Sequence, residues 1–176
     1  MPRPTSTRRR AEPAPRARSL VAAVVAAAGL LATGCAEQGG GPAVTVHDSG
    51  GELLAQVPLP AGSFAVRYRN SLYGTLAEER YHVEDGGRFA LVELAADQLA
   101  VLEEYYAVPG PVNAAPDGDR RNWVAEPART PVFAELSIAA TELGERTLLV
   151  PGHPPVPLPP LVDTDVTVVL DVEESR

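Results

Sequence analysis

From about Ala43 onward the chain falls into short apolar segments separated by turn residues, and most of them alternate apolar with polar positions. Val44 to His47 and Leu53 to Leu59 flank Asp48-Ser49-Gly50-Gly51, a hairpin turn. Pro58 has no N–H to give a ladder, so the second segment suits an edge strand. Ser63 to Arg69 sets Phe64, Val66 and Tyr68 on one face and Arg67 and Arg69 on the other. Glu79 to Glu84 and Arg88 to Leu94 form a second hairpin around Asp85-Gly86-Gly87, whose glycines adopt positive φ without steric cost. In its first arm Tyr81 and Val83 point one way and Arg80, His82 and Glu84 the other.

At Asp97 the period changes. Leu99, Leu102 and Tyr106 fall at three- and four-residue spacing, which predicts one short helix ending near Ala107, capped by Asp97 and stopped by Pro109. Val112 to Arg121 is polar and reads as a loop. Val132 to Ala139, Arg146 to Val150 and Val166 to Val172 alternate again. Six of the ten residues from Pro151 to Pro160 are proline, so that stretch is extended, is not a central strand, and reads as a stiff crossover. The pattern predicts one all-β domain over residues 43–173, a mostly antiparallel sandwich or barrel-like fold with one short helix.

Residues 1–34 differ in kind. Six Arg between Arg3 and Arg18 precede a thirteen-residue apolar run from Leu20 to Ala32, the layout of an export signal peptide. As a helix that run spans about 20 Å, short of a ~30 Å hydrocarbon core. The chain's single cysteine, Cys35, follows Ala32-Thr33-Gly34 in a stretch that resembles the lipobox of bacterial lipoproteins, with Ala32 in the slot that usually holds Leu and Leu31 one residue further back. An exported protein cannot close an internal disulfide with one cysteine, and lipidation at Cys35 accounts for it. Residues 35–42, rich in glycine, then form a lipidated flexible tether. The expected location is the extracytoplasmic face of the cell membrane, the membrane partner being reached through the lipid. Arg8-Arg9 leaves the export route open.

Beyond the leader, nine Arg stand against 22 acidic residues, a balance of −13 that repels phosphate backbones and argues against nucleic acid as a partner. His47, His82 and His153 share no ligand spacing, and no phosphate loop, dinucleotide fingerprint or nucleophile elbow occurs. No cofactor, metal or catalytic set is expected. The densest group of hydrogen-bonding side chains is the strand-to-strand corner from Arg67 to Glu79, where Tyr68, Asn70, Ser71 and Glu79 are candidate ligand-binding residues. The competing local reading has Asn70 and Ser71 capping a turn.

The same corner carries a family resemblance. Tyr68, Ser71, Thr75, Glu78, Glu79, Tyr81 and Leu91-Val92-Glu93 resemble, at matching spacing, the bacterial domain-of-unknown-function family numbered eighteen-fifty, with weaker similarity through Trp123 and the strands from Val132 to Glu173. Asn70 stands where that family has His, Tyr73 where it has an acid and Leu76 where it has Pro. A Gly-Ala-Gly-Leu-Pro run after Glu93 is missing, and a second His is replaced around Arg146. Loss of both imidazoles removes the groups best suited to proton transfer near neutral pH. The resemblance implies an envelope accessory role beside a TRAP-type solute transporter of the TAXI class. The expectation is therefore a non-catalytic accessory or ligand-binding lipoprotein, with a structural envelope protein and an envelope hydrolase as alternatives.

Overall fold

The computed structural model describes residues 41–163 and 166–174, so the expected export signal and Cys35 lie outside the described residues. The fold is a two-sheet antiparallel β-sandwich. Its smaller sheet contains β1 (Ala43–Asp48), β2 (Leu53–Pro58), β9 (Glu135–Ala139) and β12 (Thr167–Glu173), in the order β2-β1-β12-β9. The larger sheet contains β3 (Ser63–Arg69), β4 (Leu76–Val83), β5 (Phe89–Ala96), β6 (Asn113–Ala114), β7 (Trp123–Ala125), β10 (Thr147–Leu149) and β11 (Val156–Pro157). They run in the order β11-β10-β3-β4-β5-β7-β6, and β8 (Val132–Phe133) pairs separately with β5. Both orders have free ends, so neither sheet closes into a barrel.

Proline content explains the edges. β2 ends in Pro58 and β11 holds Pro157, and each is an outermost strand, where a missing N–H costs no ladder bond. Between the sheets lies the main core. Val44, Val46, Val168 and Leu170 from the smaller sheet meet Phe64, Val66, Tyr81, Phe89 and Leu148 from the larger. Phe64 and Tyr81, directly opposite across β3 and β4, stack at 5.0 Å, and Phe89 meets Phe64 edge-on at 5.1 Å.

Three expectations are corrected. The alternation from Val132 to Ala139 is not one strand, because a bend at Ala134 sends β8 to the larger sheet and β9 to the smaller. The helix after Asp97 is one widened turn, Val101–Tyr105, closed by a bond from the Tyr106 N–H to the Val101 carbonyl. Asp97 does not cap it, since its carboxylate accepts from Arg121 instead. The turn buries Val101 and Leu102 against Tyr68, Ala77, Leu94 and Ala96, a second core beneath the end of the larger sheet.

The β4–β5 turn tests the backbone argument. Gly86 and Gly87 have φ of 78° and 73°, and a Cβ at Gly87 would stand 2.6 Å from the Val172 carbonyl oxygen, whereas one at Gly86 meets nothing within 4 Å. Gly86→Ala is expected to cost about 1 kcal/mol and Gly87→Ala about 2 kcal/mol or more, as read from denaturant midpoints. Equal losses would show that the Val172 carbonyl does not constrain the turn.

Candidate functional site: an outer-face cleft

Glu78 and Glu79 are consecutive on β4, so strand alternation sends them to opposite faces of the larger sheet. Each is held by different chemistry.

Glu79 faces the interior, at the junction of the two cores. Its carboxylate accepts the Tyr81 hydroxyl at 2.8 Å and the Tyr106 hydroxyl at 2.7 Å, and the Tyr106 hydroxyl also shares a hydrogen bond with Tyr68. The Arg146 guanidinium lies over the Tyr68 ring, 4.9 Å from its centroid. Burial foremost pushes the Tyr68 phenol up to about 12, and burial followed by the Glu79 charge raises Tyr81 and Tyr106 as well. Tyr68 and Glu79 are thus brought together, through Tyr106, as an internal network.

Asn70 and Ser71 are not part of it. The Asn70 side-chain oxygen accepts the N–H groups of Leu72 and Tyr73 at 3.0 and 3.1 Å, which is the local turn-capping arrangement. Ser71 is exposed on that turn. None of the four corner residues lines the outer-face cleft.

Glu78 faces outward yet is 0% exposed. One carboxylate oxygen accepts Nε of Arg120 and Nε of Arg121, both at 3.1 Å. The other accepts Nε of Arg80 at 3.2 Å and Nη2 of Arg120 at 2.7 Å. Four N–H groups fill the carboxylate's acceptor sites. Arg80 continues the chain of pairs to Glu93 at 2.7 Å and to Asp119, which it grips with both Nη atoms at 2.6 and 2.8 Å. Arg121 reaches Asp97 at 2.8 Å. Burial alone would raise the Glu78 carboxyl, but the hydrogen bonds and charges of the arginines outweigh it and hold it below the usual range. Arg80 foremost holds Asp119 at about 2.

These ion pairs fasten the loop carrying Asp119, Arg120 and Arg121 over the outer face. Beside it opens a cleft of about 600 Å3, within the range of small-molecule sites. Ser63 and Ala65 of β3, Arg80 and His82 of β4, and Val92 and Glu93 of β5 line it, facing Arg120 on one side and the turn from Leu149 to Pro155 on the other. A β-bulge shapes that lining: Arg80 pairs with Glu93 and Tyr81 with Leu91, leaving Val92 as the extra residue beside Glu93. His82 and His153 both border the cleft, and neither imidazole makes a hydrogen bond among the described residues.

The corner residues Tyr68, Asn70, Ser71 and Glu79 are not among those that line this cleft. The missed residues carry a faint signature, Asp119-Arg120-Arg121, two adjacent cations in a chain with few. Comparison with protein-family models, with curated proteins and with solved structures gave no match.

Glu78→Gln should cost about 3–5 kcal/mol, because three guanidiniums lose their shared counter-charge in a buried setting. The pH dependence has two signs. Depressed carboxyls such as Asp119 contribute stability that is fully present above about pH 4 and lost as pH falls through about 2. The raised Tyr68 phenol contributes stability that is fully present below about pH 10 and lost as pH rises through about 12. Denaturant midpoints across that range measure both arms, and a flat acid arm would contradict the ion-pair assignment.

Proposed function

We propose that this protein is an exported, lipid-anchored ligand-binding module of the cell envelope, a non-catalytic accessory that binds a small molecule in the outer-face cleft. The cleft of about 600 Å3 is the observation that carries the reading, since it combines apolar walls with a few convergent polar groups. Anchoring rests on the leader and Cys35. Two acyl chains on that residue supply the hold that a single chain lacks. Resemblance to the eighteen-fifty family supports a place beside a solute transporter.

A hydrolase would require a nucleophile aligned with a base. Ser71 does not line the cleft. Ser63 does, opposite His82 across β3 and β4, yet no hydrogen bond joins the two side chains among the described residues. One observation favours a second reading, an interaction protein: Leu72 and Leu143 are 69% and 76% exposed, on two turns tied together by Arg69, which bonds both the Gly74 carbonyl and Glu145.

Cys35→Ser should move the protein from the membrane fraction to the soluble fraction. Retention of the variant in the membrane with its leader uncleaved would make the anchor a helix instead. Val92→Arg, which fills the cleft from a residue already 42% exposed, should leave the melting temperature within about 1 °C while removing ligand-induced stabilisation. Undiminished stabilisation would move the binding site elsewhere.

A further inference from the structure

We infer that the cleft takes a small organic monoanion, a carboxylate with a compact apolar body, and that Arg120 seats the carboxylate. The inference rests on the ligand-binding reading of the cleft and names the ligand class.

The cations around the cleft are not equivalent. Arg80 spends its donors on Glu78, Glu93 and Asp119, and its side chain is 17% exposed. Arg121 is 9% exposed and is committed to Glu78 and Asp97. Arg120 differs from both. Its side chain is 53% exposed, Nε and Nη2 are fixed on Glu78, and Nη1 donates no hydrogen bond among the described residues. A guanidinium is a planar fork, so clamping one edge on a buried carboxylate fixes the direction of the other. Arg120 therefore offers a pre-oriented, half-open donor edge at a cleft wall, without the ordering cost that a free surface arginine incurs.

Local charge sets the valence. Glu93 lines the same cleft and the domain as a whole is acidic, so one open cationic edge accommodates one negative charge and a polyanion is repelled. The remaining walls decide the body of the ligand. Ala65, Val92, Leu149, Val150, Pro151 and Pro155 offer apolar surface, which favours a hydrocarbon portion over a sugar or a nucleotide. His82 and His153 supply two further polar groups for a neutral substituent.

Hexanoate and its neutral counterpart hexanamide test the charge requirement with shape held nearly constant. Isothermal titration of the full chain in a non-ionic detergent, matched in cell and syringe, should show hexanoate binding about tenfold or more tightly than hexanamide. Arg120→Gln should weaken hexanoate by about ten- to a hundredfold, the loss of one charge-assisted hydrogen bond, and weaken hexanamide by a much smaller factor. Val92→Glu, which keeps Arg120 and adds a negative charge to the cleft wall, should weaken hexanoate by a larger factor than hexanamide. Melting curves of both variants separate lost binding from lost folding. Equal affinity for the two compounds, or an Arg120→Gln variant that binds hexanoate normally while folded, overturns the anion assignment and leaves the cleft as a site for neutral ligands. Absence of binding by hexanoate, hexanamide and hexylamine overturns the anion assignment and the ligand-binding reading together.

Discussion

The outer face of the larger sheet depends on one buried carboxylate. Strand alternation puts Glu78 on the side of the sheet that would ordinarily face water, and yet no part of it is exposed. Its desolvation is balanced only because four N–H groups from three arginines fill its acceptor sites. Two of those arginines arrive from a loop more than forty residues further along the chain, so the ion pairs also hold that loop down. Hydrogen bonds of Ala115 and Asn122 fasten the base of the loop to the sheet, and the ion pairs hold its tip against the outer face, where Arg120 forms a wall of the cleft. Electrostatics performs here the task that apolar packing performs on the inner face.

Inside the sandwich, Glu79 solves the opposite problem. A carboxylate between two apolar cores needs donors that bring little charge and fit an interior, and phenols do both. Tyr81 belongs to the main core and Tyr68 to the second core under the helical turn, while Tyr106 follows that turn directly. The Tyr81 and Tyr106 hydroxyls converge on one carboxylate, and Tyr68 joins through Tyr106, so Glu79 ties the helical turn to the sheet at a place where the two apolar clusters do not merge. Glu78 and Glu79 are adjacent and chemically identical. The partners each one meets make one a clasp for an outer loop and the other a junction between cores.

How much of this was legible in the sequence follows from the range of each interaction. Period-two alternation marked β1 to β5, β10 and β12, and proline marked the two edges, because those patterns report local backbone demands. The same alternation missed the break at Ala134, since a period of two continues unchanged when a strand passes from one sheet to the other. Asp97 looked like a helix cap because capping is local, while Arg121, which takes its carboxylate, lies 24 residues away. The candidate corner mixes local and distant contacts for a similar reason. Asn70 behaves as its turn chemistry dictates, and Tyr68 and Glu79 do meet, but only through Tyr106, which the sequence showed as a helix-face residue. Nothing local distinguishes Glu78 from a solvated strand glutamate, and its burial is written only in the distant pair Arg120-Arg121.

The absence of lysine from the chain bears on how this cluster is possible. An ammonium is a compact, strongly hydrated point charge, and three of them around one buried carboxylate would each lose much of their hydration for a single contact. A guanidinium is flat and weakly hydrated, offers donors along two edges, and can share one partner while reaching a second. Arg80 joins Glu78 to Glu93 and Asp119, and Arg121 joins Glu78 to Asp97, each through separate nitrogens of one plane. The network needs that forked geometry. It is also why the third arginine, gripped along one edge by Glu78, still presents an unused edge to the cleft.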